Sequence, residues 1–157
     1  MTDWRSDRIA AAQRGENPTV LTRLPQSFAV IGDVQWLPGY CVLLTDNPAI
    51  LRLSDLPRPA RIEFLDSLER LAAAVESCCA AADPDFLRVN IEILGNADPY
   101  LHAHVFPRYG WEPEELRRRP VWLYPESNWH NPVTALGPAQ DQLRTAISTE
   151  LARPERR

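Results

Sequence analysis

The chain contains only three histidines, and two of them, His102 and His104, stand one residue apart in DPYLHAHVFPRY, residues 98–109. An imidazole titrates near about pH 6.5, so at neutral pH its ring is largely unprotonated. Such a ring can attack phosphorus without first losing a proton, and a second ring beside it can hydrogen-bond phosphoryl oxygens or protonate a leaving group. The surrounding residues alternate as a strand does. Leu101, Ala103 and Val105 fall on one side; Tyr100, His102 and His104 fall on the other. The two imidazoles are then about 6.7 Å apart along the strand and aimed the same way. Three readings stay open on these residues alone. Both rings are ordinary solvated strand residues; or they are a metal pair completed by Asp98 and His130, neither at a telling spacing; or they are catalytic.

The elements that must carry this pair are legible in outline. Residues 3–14 read as a short helix, with Asp3 as N-cap and Gly15 as stop, and 16–27 as a connector. FAVI (28–31) and YCVLL (40–44) are short strands joined by a turn containing Pro38-Gly39, which makes an antiparallel pair. Residues 45–59 form a loop. From 60 to 82 the pattern is helical: Leu65, Leu68, Ala72, Val75 and Cys79 recur at spacings of three and four, with Ile62 and Leu71 broadening the stripe. Asp83-Pro84 ends it. FLRVNIEI (86–93) alternates, with Leu87, Val89, Ile91 and Ile93 toward a core and Arg88, Asn90 and Glu92 away from it. YLHAHVF (100–106) is the last strand, stopped by Pro107. Residues 110–136 are irregular and rich in Pro, Trp and Arg. Gly137-Pro138 opens a final helix lined by Leu143, Ile147 and Leu151. This order predicts a single α+β domain over 1–157: an antiparallel sheet with a long helix packed on one face and a C-terminal helix. Its other face stays open for the histidines.

Composition narrows the chemistry. All 17 basic residues are arginine. Lysine Schiff bases and phosphate-binding lysines are therefore excluded, and an anionic ligand must be met by Arg, His or backbone N–H groups, or by a metal. A net charge of −4 argues against nucleic acid as the main partner. Cys41, Cys78 and Cys79 form neither a disulfide framework nor a zinc motif. The N-terminus lacks the apolar core of a signal peptide, and no apolar run approaches the length of a membrane span. A soluble, cytoplasmic protein is the expectation.

YLHAHVFPRY resembles the signature strand of the histidine-triad (HIT) family, His-φ-His-φ-His-φ-φ with φ apolar, often followed by Pro-Arg. His104-Val105-Phe106-Pro107-Arg108 matches the third histidine and its tail. His102 falls on the second, and Tyr100 replaces the first. Upstream, LPGYCVLL is similar to the family's Pro-Gly-His segment, with Tyr40 in place of that histidine. ILRLSDLP resembles the loop before the family's long helix, and VNIEILGN stands where the family has its penultimate strand and glycine turn. The resemblance spans roughly residues 28–109.

The resemblance implies a nucleotide phosphoanhydride or phosphoramidate hydrolase or nucleotidyl transferase, working through a nucleotidyl-histidine intermediate, with dinucleoside polyphosphates the favoured substrates. It makes His102 the nucleophile and gives it a backbone carbonyl to orient its second ring nitrogen. His104 would serve a phosphoryl oxygen or the leaving group, and Tyr100 and Tyr40 would support them. It also implies Asp33 as a contact to the ribose hydroxyls, against a plain turn residue. Asn90 faces the histidine side and reads either as a phosphate contact or as a satisfied strand amide. Asn96 and Arg108 read as further phosphate contacts, or as a turn residue and a strand-end charge. EELRRRP (114–120) has the spacing of a solvated salt-bridged face. Trp111, Trp122 and Trp129 either wall a nucleotide pocket or pack on the core. No cofactor is required, beyond a divalent cation such as magnesium carried by the substrate, and a homodimer is expected. Two rival functions remain: a nucleotide-binding protein with little turnover, in which the tyrosines mark lost chemistry, and a His-based metal-dependent hydrolase.

Overall fold

The computed structural model describes residues 3–154. After a 3-10 turn capped by Asp3, helix α1 (Arg8–Gln13) is capped by the Asp7 carboxylate and ends before Gly15, whose φ is +74°. Five strands follow: β1 (Val20–Leu24), β2 (Ser27–Ile31), β3 (Cys41–Thr45), β4 (Phe86–Glu92) and β5 (His102–Tyr109). They form one antiparallel sheet in the order β1-β2-β3-β5-β4. The long helix α2 (Arg58–Ala82) lies between β3 and β4 in sequence and packs across the sheet; a short α3 (Glu114–Arg117) and the C-terminal α4 (Asp141–Leu151) complete the chain. This is the expected α+β architecture.

The core lies between α2 and one face of the sheet. Ala29, Ile31, Cys41, Leu43, Ala103 and Val105 are fully buried there, against Phe64, Leu71, Val75 and Cys79. Helix α4 seals α2 and β1 with Ile147 and Leu151. Three local expectations change. The connector over 16–27 contains β1, which turns into β2 through Pro25-Gln26, with Gln26 at φ +60°. Left-handed turn positions usually announce themselves as Gly or Asn, so a glutamine there hides the hairpin. The buried stripe of α2 is centred on Phe64 and Leu71, leaving Ile62 and Leu65 half exposed; Leu65 sits about 100° round the helix from Phe64. Pro107 does not stop β5. Strand β3 ends opposite Val105, so beyond that point β5 has a partner on one side only and tolerates a residue without an N–H.

Strand β4 is an edge. Ile91 pairs with Val105 and so faces the helix side as its alternation predicts, but Leu87, Ile91 and Ile93 are 54%, 47% and 41% exposed rather than buried. Among the described residues no helix is long and apolar enough to cross a membrane.

Candidate active site

Strand β5 delivers both histidines to the sheet face opposite α2. Cross-strand pairs place Leu44 beside His102, and Val42 and Glu92 beside His104. The rings meet edge to face, centroids 4.8 Å apart. This face is not open, as alternation alone suggested: each histidine is only 7% exposed. What covers it is the Trp/Pro segment. Trp122 stands edge-on to His104 at 5.0 Å and stacks on Trp129 at 4.5 Å, while Trp129 abuts Tyr40 and Phe106. A cavity of about 380 Å³ remains beside the pair, lined by Leu94, Asn96, Asp98, His102, His104 and Trp122.

Hydrogen bonds give the two imidazoles different surroundings. Nδ1 of His102 lies 2.8 Å from the carbonyl oxygen of Tyr100. A carbonyl only accepts, so Nδ1 carries the hydrogen and Nε2 keeps its lone pair. Nδ1 of His104 lies 2.8 Å from the Tyr40 hydroxyl. Burial, reinforced by His102, lowers the pKa of His104 to about 3, so this ring is neutral. Burial also raises Tyr40, and raises Tyr100 with help from Asp98, so both phenols keep their protons.

Tyr40 reaches this face because the turn over residues 32–40 is closed by buried Gln35. Its side-chain amide donates to the carbonyls of Gly32 and Tyr40 and accepts from the Gly39 N–H. Gly39 takes φ +93° to make that turn.

The other expected site residues are distributed unevenly. Tyr100 is half-buried with its ring tilted against His102, 5.3 Å away, and its carbonyl supplies the bond to Nδ1. Asn96 lines the cavity. Asn90 is on the histidine face, but one pair further along, opposite Phe106. Asp33 is clamped by Arg8 through two bonds of 3.0 and 2.6 Å and lines a separate cavity of about 360 Å³ with Trp4, Arg5 and Arg144. Arg108 is 3% exposed and bonds Glu112 and the carbonyls of Leu116, Arg117 and Arg119. It is the anchor of the covering segment and does not line the histidine cavity. His130 is exposed beside Glu126. The 114–120 segment does carry a solvated ion pair, Arg118–Glu114 at 3.2 Å. Sequence reasoning gave no role to Arg8; its partner Asp33 lies 25 residues away in sequence, and no local pattern marks the pair.

No family model and no curated protein matches this chain. Solved structures do. A histidine triad protein from Bradyrhizobium japonicum aligns with TM-score 0.69 at 19% identity over 89% of this chain and 95% of that one. A histidine triad (HIT) protein from Sinorhizobium meliloti gives 0.65 at 17% over 96% and 93%. A zinc-bound histidine triad family protein from Mycobacterium smegmatis gives 0.63 at 15% over 96% of both. Among the described residues of this chain, no three His, Cys, Asp or Glu side chains gather closely enough to hold a metal. The chain's five-stranded antiparallel sheet with helices packed on it aligns with these proteins along nearly its whole length, which gives it the histidine-triad fold.

Proposed function

We propose that the protein is a nucleotidyl hydrolase or transferase with His102 as nucleophile. The observation that carries this reading is the Tyr100 carbonyl on His102 Nδ1, which leaves a Nε2 lone pair on a ring that lines a cavity. Nε2 attacks the α-phosphorus of a nucleotide ester, amide or anhydride. The P–Nε2 bond forms as the bond to the leaving group breaks, and the leaving group departs with the electron pair and takes up a proton. Water or another acceptor then attacks the same phosphorus, loses its proton, and restores His102. Substrates are nucleoside phosphoramidates or dinucleoside polyphosphates, the latter bringing their own magnesium. Asn96, on the cavity wall, would bond a phosphoryl oxygen. Phosphoryl transfer depends mainly on positioning and on stabilising charge, which a walled cavity with fixed rings supplies.

The test is labelling. Substrate carrying radioactive phosphorus at the α position, quenched in alkaline detergent after one turnover, should leave label on the wild type and none on His102→Ala. A wild type that neither labels nor turns over any nucleotide, yet binds one, would make this a nucleotide-binding protein instead.

A further inference from the structure

We infer that Tyr40 is a positioning residue whose phenol donates its proton to Nδ1 of His104, holding that ring as the Nε2–H tautomer, opposite to His102. The catalytic meaning of this rests on the proposed nucleotidyl transfer; the tautomer itself does not.

The argument is one of donors and acceptors. Tyr40 is buried, and among the described residues its hydroxyl has one hydrogen-bond partner, Nδ1 of His104 at 2.8 Å. Two neutral arrangements satisfy that distance. In the first, Nδ1 carries the hydrogen and donates to the phenol oxygen; the phenol's own O–H is then a buried donor with nothing to meet. In the second, the O–H donates to a bare Nδ1 and the ring hydrogen sits on Nε2 of a residue that lines the cavity, where it is open to a ligand or solvent; inside the protein only a spare oxygen lone pair goes unused. Unpaired buried donors are the rarer and costlier state, so the second arrangement holds. A doubly protonated ring is disfavoured by burial and by the neighbouring His102.

The ring of Tyr40 is fixed in place to do this. It stacks on Phe106 at 4.5 Å with 13° between planes, and Trp129 meets its edge at 6.3 Å. On the remaining side lies Gly32, where any Cβ would overlap the Tyr40 ring. Phenol and glycine therefore go together: the absent side chain at position 32 is what admits the ring at position 40.

The two strand histidines, alike in sequence, are thereby given complementary chemistry. His102 offers a Nε2 lone pair, set by a carbonyl that can only accept. His104 offers a Nε2–H, set by a hydroxyl that must donate. One is a nucleophile and the other a hydrogen-bond donor to a phosphoryl oxygen, and His104 donates without being charged. The same assignment works against a shared metal, since a protonated Nε2 is no ligand.

The chain has three histidines, so long-range proton–nitrogen spectra of labelled protein at neutral pH can be assigned with His102→Gln, His104→Gln and His130→Gln. The expected wild-type result is hydrogen on Nε2 of His104 and on Nδ1 of His102. In Tyr40→Phe, His104 should lose its single tautomer while His102 keeps its own, which also reports an intact strand. Hydrogen on Nδ1 of His104 in the wild type overturns the inference, as does a Tyr40→Phe spectrum with His104 unchanged. If Tyr40→Phe does not fold, the wild-type spectrum decides alone. On a nucleotide that the wild type turns over, Tyr40→Phe should lower kcat roughly tenfold, about one oriented hydrogen bond, with KM little changed. Absence of any turnover by the wild type counts against the enzymatic reading and leaves the spectra to judge the tautomer.

Discussion

Arg108 and Glu112, four residues apart, face each other inside the protein with Nη2 2.9 Å from Oε2, at 3% and 0% side-chain exposure. Glu112 also accepts from the Tyr109 N–H and the Tyr124 hydroxyl, and Arg108 also reaches three main-chain carbonyls. This knot closes the chain after β5 onto itself and so holds the segment that brings Trp122 to His104. Arg108→Ala leaves a carboxylate buried without its cation and should cost about 3–5 kcal/mol of stability. Replacing both partners, as in Arg108→Met with Glu112→Leu, should cost less than the single change. Urea unfolding of the wild type and these two variants checks this; equal losses would mean that the pair itself contributes little.

Burial of His104 also has a signature in pH. Its pKa is about 3 in the folded protein, against about 6.5 for a free histidine, with Tyr40, His102, Glu92 and Trp122 around it. Between those values the unfolded chain binds a proton that the folded chain does not. Stability is therefore lost as pH falls from about 6.5 toward 3, by up to about 1.4 kcal/mol per pH unit from this group. His104→Gln should flatten the slope over that window, measured as the difference between the two unfolding curves from pH 4 to 7. Parallel curves would place the proton uptake elsewhere.

The charge of the cavity bears on the substrate. Asp98 lines it and, among the described residues, no arginine does; Arg108 is committed to Glu112. Without divalent cation, a singly charged nucleoside phosphoramidate should react faster than a dinucleoside tetraphosphate, and magnesium should narrow the gap by neutralising the polyphosphate. Asp98→Asn should favour the polyphosphate. Competition assays with and without chelator read this directly, and a preference for the tetraphosphate in chelator would contradict it.

Edge strand β4 leaves main-chain groups and the side chains of Leu87, Ile91 and Ile93 at the surface. A second copy adding at this edge would cover them and make the expected homodimer. Sedimentation should then give twice the chain mass for the wild type and a single chain for Ile91→Arg. A monomeric wild type at micromolar concentration would sink the expectation.

Much of this was legible in the sequence because strand alternation is local. One pass along YLHAHVF puts His102 and His104 on the same side, and the same logic puts Asn90 and Glu92 there too. The long helix, its Asp83-Pro84 stop and the turn at Pro38-Gly39 were equally readable. Strand β1 was not, because its turn lacks the usual glycine or asparagine. Nor was the burial of the histidines, because cover comes from residues whose packing no periodicity encodes.

The sequence alone thus determined which side chains share a strand face, since that follows from two residues per pleat. Only the tertiary structure decided what those side chains can do. The hydroxyl bonded to His104 comes from 64 residues away, the cavity wall from the turn before the strand and from Trp122 beyond it, and Arg108 turns inward to a carboxylate four residues on. Hydrogen bonding and burial, which set protonation and tautomer, are properties of neighbours in space, and a linear pattern does not contain them.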